Sequence, residues 1–273
     1  MKRWPGYAIF QIELRSRFRG WGIIFVLSLY LLALVALLVL GLVVLLDNQG
    51  LDGESLFLVL LGSQFVLLCV IGPLSSCGGI SMEHERNSFE LVITTLLRPV
   101  DIWTGKLASA MALGWVLFAC GLPMILFCTF IGGGSPWKFL FGYAFLLVVY
   151  LCYCTFALWV SCMTKRTMVS MNIVTVALAV INGLFPFVYM IVSEVGVLDQ
   201  GPLQAWVTYW GVMMLSPLLF VEGWLTDTQM LPPGTGVAGG YSPDIILLAV
   251  SLYLVAAVIF GVLTLRRLRF PRV

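Results

Sequence analysis

Six stretches of this sequence run for 21 to 25 residues without an Asp, Glu, Lys, Arg or His: residues 23–46, 56–80, 107–131, 139–163, 168–192 and 245–265. About 20 residues of helix cross a hydrocarbon core roughly 30 Å thick. Lipid offers the backbone no hydrogen bonds, so a crossing segment must satisfy its own, and unbroken apolar runs of this length do so as helices. The in-out alternation of barrel strands is absent. Hydrophobic residues are 61% of the chain and charged residues 10%, against roughly 45–50% and about 25% in soluble domains. A globule of 273 residues cannot hide that much apolar surface. A disordered chain, a secreted disulfide scaffold and a nucleic-acid module are excluded. The expected fold is an all-α membrane protein with six transmembrane helices. The first run is too long, and starts too far along the chain, for a cleaved signal peptide.

Orientation follows from the cations. The net charge is only +2, but position matters more than sum. Lys2, Arg3, Arg15, Arg17 and Arg19 precede the first run; Arg86, Arg98 and Lys106 separate the second from the third. Lys165 and Arg166 separate the fourth from the fifth, and Arg266, Arg267, Arg269 and Arg272 follow the sixth. Only Lys138, of the 15 cations, falls on the other side. The positive-inside rule then places both termini in the cytoplasm. That far side carries Asp47, Asp52, Glu54, Glu194, Asp199, Glu222, Asp227 and Asp244.

Between the spans the chain divides further. Residues 1–22 hold Tyr7, Phe10, Leu14, Phe18 and Trp21 at steps of three and four, with Arg15, Arg17 and Arg19 largely off that stripe. This predicts an amphipathic helix in the cytoplasmic interface, rings in the acyl boundary and cations near lipid phosphates. Residues 194–244 form an external loop. Within it, residues 205–221 are apolar but interrupted by Pro217, and a seventh span there would put the C-terminal arginines outside. A re-entrant or interfacial pair of short helices is expected, with a soluble external cap as the alternative. Residues 231–240, rich in Pro and Gly, read as irregular loop, and residues 266–273 as a basic cytoplasmic tail.

Little catalytic chemistry is offered. The spans hold no charge for proton relay or ion coupling. His84 is the only histidine and has no cysteine near it in sequence, so no metal site is expected. The seven cysteines lie in or beside apolar runs, where Cys acts as a small hydrophobe. A phosphate-binding loop needs Gly, four residues, then Gly-Lys-Ser/Thr; at Gly105-Lys106 the first Gly is Val100 and the hydroxyl is Leu107. Polar side chains inside spans read mainly as interhelical hydrogen-bonding positions, with Gln64, Asn172 and Asn182 as candidates for facing a translocation path.

The densest segment is residues 81–106, SMEHERNSFELVITTLLRPVDIWTGK. Glu83, Glu85, Arg86 and Glu90 share it with Phe89, Leu91, Val92, Ile93, Leu96 and Leu97, too apolar for a solvated linker and too charged for a span. A short helix over residues 83–97 would lie under the membrane, ended with the help of Pro99, and Asp101 would cap the helix that leads into the third span. Here the sequence resembles the type 2 permeases of ATP-binding cassette transporters, whose pattern is approximately ExExGTxELLLTTPLSxxxIxxGK. Glu83, Glu85, Glu90, Leu91, Thr94, Thr95, Leu97, Ile102, Gly105 and Lys106 meet it; Asn87-Ser88, Leu96 and Arg98 depart from it. Glu13-Leu14-Arg15, Lys165-Arg166 and Leu215-Ser216-Pro217-Leu218 add to the likeness in layout.

The resemblance implies a half-sized exporter subunit in the cytoplasmic (inner) membrane of a bacterium, paired with a second permease subunit, identical or similar. Two separate ATPase subunits would dock beneath it and bind the ATP and magnesium, so this chain would carry no cofactor and no catalytic residue. Its loop helix would be the coupling helix, with Glu83, Glu85, Arg86 and Glu90 touching the ATPase and Gly105-Lys106 setting the start of span three. Membrane lipids are the other expected partner, and nucleic acid is not one. The alternatives are an ion-coupled carrier, or an integral membrane enzyme or scaffold without an ATPase; the latter needs a catalytic cluster, and the external acids have no His or Cys beside them.

Overall fold

The computed structural model describes residues 7–47, 53–85, 98–132, 136–184, 186–187, 191, 216–217 and 243–269. Among them seven helices run in order: α1 Tyr7–Phe18, α2 Trp21–Asp47, α3 Gly53–Glu85, α4 Pro99–Gly132, α5 Pro136–Met163, α6 Thr167–Ala179 and α7 Pro243–Arg269. The last turn of α6 passes into a wider π-helical turn, Val180–Leu184. Six of these helices are long and apolar enough to cross a membrane, and the chain is an integral membrane protein. No strand occurs among the described residues. Of the predicted loop helix over residues 83–97, the first three residues close α3 and the rest lie outside the described residues, Arg86 and Glu90 among them. The predicted external helices of residues 194–244 also lie outside, apart from the buried Ser216 and Pro217 and the first residues of α7.

Helix ends depart from the uncharged runs by several residues. The third run extends backwards to Pro99, where proline's fixed φ and missing N–H suit a first helical position. Asp101 is therefore not the cap itself: its carboxylate reaches back to accept the Arg98 N–H at 3.3 Å, the returning half of a capping box. α3 likewise continues through Ser81, Glu83 and Glu85. Charged residues extend these helices because Glu83, Glu85 and Lys106 each find a bonded partner on another helix.

α5 is the axis of the bundle. Phe145, Val149, Tyr150, Tyr153, Ala157 and Leu158 are buried along its length, with α3, α4, α6 and α7 packed around it. α2 lies at the periphery, where Tyr30 and Leu34 are its buried side chains among those described. Lipid is as apolar as leucine, so close packing and interhelical hydrogen bonds, rather than hydrophobic exclusion, hold such helices together. Both are visible at mid-bundle. The Tyr150 ring lies between Gly72 of α3 and Gly114 of α4, where an added Cβ would sit 2.2 and 2.4 Å from ring carbons. The Tyr150 hydroxyl donates to Ala110 O at 3.0 Å, Tyr30 donates to Leu117 O at 3.1 Å, and Tyr143 donates to Phe118 O. Three tyrosines from α2 and α5 thus use the spare lone pairs of α4 carbonyls. Phe118 stacks edge-on against both Tyr143 and Tyr150, with centroids 5.0 and 6.1 Å apart. The described cysteines are free thiols, and Cys69, Cys77, Cys152 and Cys154 are buried in this core.

Candidate functional site: the charged end of the bundle

One end of the bundle gathers the C-terminal turn of α3, the N-terminal turns of α4 and α6, and α1. Lys106 enters it from α4 and is 3% exposed. Its ammonium group donates to Glu13 Oε1 of α1 at 2.8 Å, to Glu83 Oε1 of α3 at 2.7 Å and to the Gly79 carbonyl of α3 at 2.6 Å. An ammonium has three hydrogens, and all three are used. Ser109, one turn further along α4, donates to the other Glu13 oxygen at 2.6 Å. One buried cation therefore ties three helices, and its charge is held by two acids and a carbonyl instead of water. Removing one partner from such a buried group costs about 3–5 kcal/mol, because the remaining charge is left uncompensated.

The ion cluster also fixes how α1 lies. On α1, Phe10, Glu13 and Leu14 are half-buried against the bundle, while Tyr7 and Phe18 are exposed. Ile12 is 70% exposed and Trp21, just beyond the turn at Arg19-Gly20, is 87% exposed. The Lys106–Glu13 bond holds the Glu13 side of α1 against the bundle.

Glu85 makes the second tie. The first N–H groups of a helix lack intrahelical partners, and Arg166, at the N-cap of α6, supplies no side-chain bond. The Glu85 carboxylate takes that place, accepting the Thr167 N–H at 3.3 Å and its hydroxyl at 2.7 Å. A negative group at a helix N-terminus is also favoured by the helix dipole. A third tie lies one turn earlier on α3, where Ser161 of α5 accepts both the Ile80 and Ser81 N–H groups, at 3.1 and 2.9 Å, and donates to Cys77 O.

The residues predicted to matter thus separate. Glu83 and Lys106 meet directly, Glu85 sits beside them on α3, Gly105 is buried in the first turns of α4, and Arg86 and Glu90 lie outside the described residues. Gln64 is 1% exposed and donates to Tyr143 at 2.9 Å, inside the α3–α4–α5 junction. Asn172 is exposed on α6. Asn182 stands in the π-helical turn, accepting from Tyr153 at 3.1 Å and donating to Leu178 O at 3.0 Å. It borders a groove of about 310 Å³ between α3 and α6, which is otherwise apolar except for Thr175. Glu13 was visible in sequence only as part of the family-like Glu-Leu-Arg triplet, and Ser161 only as one of several span hydroxyls read as interhelical hydrogen-bonding positions; no sequence signal pointed to Ser109 or Thr167. Among the described residues no group of three or more His, Cys, Asp or Glu could hold a metal ion.

No protein-family profile and no curated protein matches the chain. The likeness to type 2 permeases therefore rests on the residues of segment 81–106 and the shorter matches at Glu13-Leu14-Arg15, Lys165-Arg166 and residues 215–218.

Proposed function

We propose that the chain is the membrane-spanning subunit of an ATP-driven exporter, energised by a separate ATPase subunit of the ATP-binding cassette class in two copies, and working beside a second permease subunit. The observation that supports this most is at the flanks of the acidic segment. The helices on either side of residues 86–97 are joined to each other through Glu83 and Lys106, to α1 through Glu13 and to α6 through Glu85. A push on that segment would be delivered to four helices together, which is what a subunit without chemistry of its own needs in order to be driven mechanically. On this reading Arg86 and Glu90, with the apolar residues between them and Arg98, meet the ATPase. Glu83, Glu85 and Lys106 pass its movement on, and ATP and magnesium are bound by the partner.

The groove beside Asn182 and Thr175, uncharged and open on the outer face of α3 and α6, suits an amphipathic or lipid-like cargo that crosses without exposing charge. Both termini are cytoplasmic on this reading, in a bacterial inner membrane. The test is co-expression with a candidate ATPase subunit. The purified chain alone should hydrolyse no ATP. The Arg86→Glu/Glu90→Lys variant should lose co-purification of the ATPase at least tenfold while keeping the thermal stability of the native chain. Retained assembly and undiminished ATPase stimulation in that variant would refute the proposal.

A further inference from the structure

The stretch of α3 from Gly72 to Ser81 reads GPLSSCGGIS, a composition poorly suited to the middle of a helix. Pro73 has no N–H to return to the preceding turn. Gly78 and Gly79 are adjacent and carry the weakest helical preference after proline. Sharp bends in helices arise at prolines, at Gly/Ser pairs and where a side chain enters the backbone ladder, and this stretch has all three. Ser161 supplies the last, with its hydroxyl against two successive amides and the Cys77 carbonyl. The Gly79 carbonyl is held from another side by Lys106, while Ser81 and Ser170 add donors to Cys77 O at 2.7 and 3.5 Å.

The two sides of Cys77–Ser81 are held by different contacts. Above it, Gly72 is pressed against the Tyr150 ring. Below it, Glu83 and Glu85 are bonded to α4 and α6. Gly78 has room, since a Cβ there would meet nothing nearer than 3.5 Å, whereas one at Gly79 would press on the tip of the buried Leu158 at 3.3 Å and need a small shift of that side chain. Packing therefore does not require Gly78, and it constrains Gly79 far less than Gly72 and Gly114.

We infer that Cys77–Ser81 is a hinge, at which the last two turns of α3 swing relative to the rest of the helix, with Ser161 as the latch that satisfies the backbone groups the swing exposes. The hinge stands independently of what drives it. It is tested on the full chain in lipid nanodiscs, with its native cysteines replaced by alanine and spin labels placed at the exposed positions Val66→Cys and Met82→Cys. These lie on opposite sides of the hinge, about 24 Å apart along the helix, within reach of pulsed electron resonance. The distance distribution should be at least twice as broad with the native glycines as in the Gly78→Ala/Gly79→Ala variant. Equal widths overturn the hinge. Should the alanine variant fail to fold, Ser161→Ala with both glycines intact replaces it: a further broadening supports the latch, and an unchanged distribution refutes it. No ATPase is present in either measurement, so failure here leaves the proposed function standing, and loss of that function leaves the hinge.

Discussion

The charged end and the tyrosine-lined middle of the bundle are both buried and polar, yet they are built from opposite chemistry. At the end, two carboxylates lie within 2.8 Å of one ammonium, with a carbonyl and a hydroxyl completing the set. In the middle, Tyr30, Tyr143 and Tyr150 hand neutral hydroxyls to carbonyls of α4 that already serve its own ladder. Charge at the bilayer centre is costly and falls in cost toward the interface. The end can therefore use charge, with Glu13 and Glu83 still 19% and 25% exposed, while the middle is restricted to dipoles and close packing. The difference predicts that the end is strong but fails abruptly when one member is lost, and that the middle loses stability in small steps.

The sharpest way to break this contrast is Lys106→Met. It should lower stability by about 3–5 kcal/mol, read as thermal unfolding in detergent, because two carboxylates then face each other without a cation. The triple variant Lys106→Met/Glu13→Gln/Glu83→Gln should recover much of that loss. If the single variant melts with the native chain, the cluster is not what holds this end. Next in size is Gly114→Leu, which drives a side chain into the Tyr150 ring and should cost about 1–3 kcal/mol, with partial rescue by Tyr150→Ala; absence of rescue would mean that the ring is not the obstacle. Tyr150→Phe keeps the packing and removes one hydroxyl, and should cost about 0.6–1.7 kcal/mol in the same assay. A loss as large as that of Lys106→Met would erase the distinction between the two regions. Smallest is Glu85→Gln, which keeps the hydrogen-bond acceptor at the start of α6 but removes its charge. It should cost about 0.3–1 kcal/mol, and less at high salt, since the helix-dipole contribution is screened.

The six crossings were legible because each is an uncharged run longer than the membrane requires, a signal no local detail disturbs. Their ends were not, and the reason is specific. Glu83 and Glu85 read in sequence as the start of a separate loop helix, and they close α3 instead, where partners 23 and 82 positions away meet them. A sequence read along one dimension has no means of pairing Glu13 with Lys106. Gln64 shows the reverse limit. An amide in a span is equally consistent with a path and with a junction, and its packing in the Gly121 notch, where a Cβ would sit 2.4 Å from its amide nitrogen, is a contact that no sequence pattern reveals. The acidic segment itself was legible as unusual, since neither a linker nor a span has that composition.

Because Glu13 is bonded to a lysine 93 residues downstream, the N-terminal helix cannot take up its final seat while the chain is being made until the third crossing has left the ribosome. At roughly 5–20 residues per second, that delay is on the order of 5–20 s. Until then the Glu13 carboxylate lacks the cation that it meets in the finished fold.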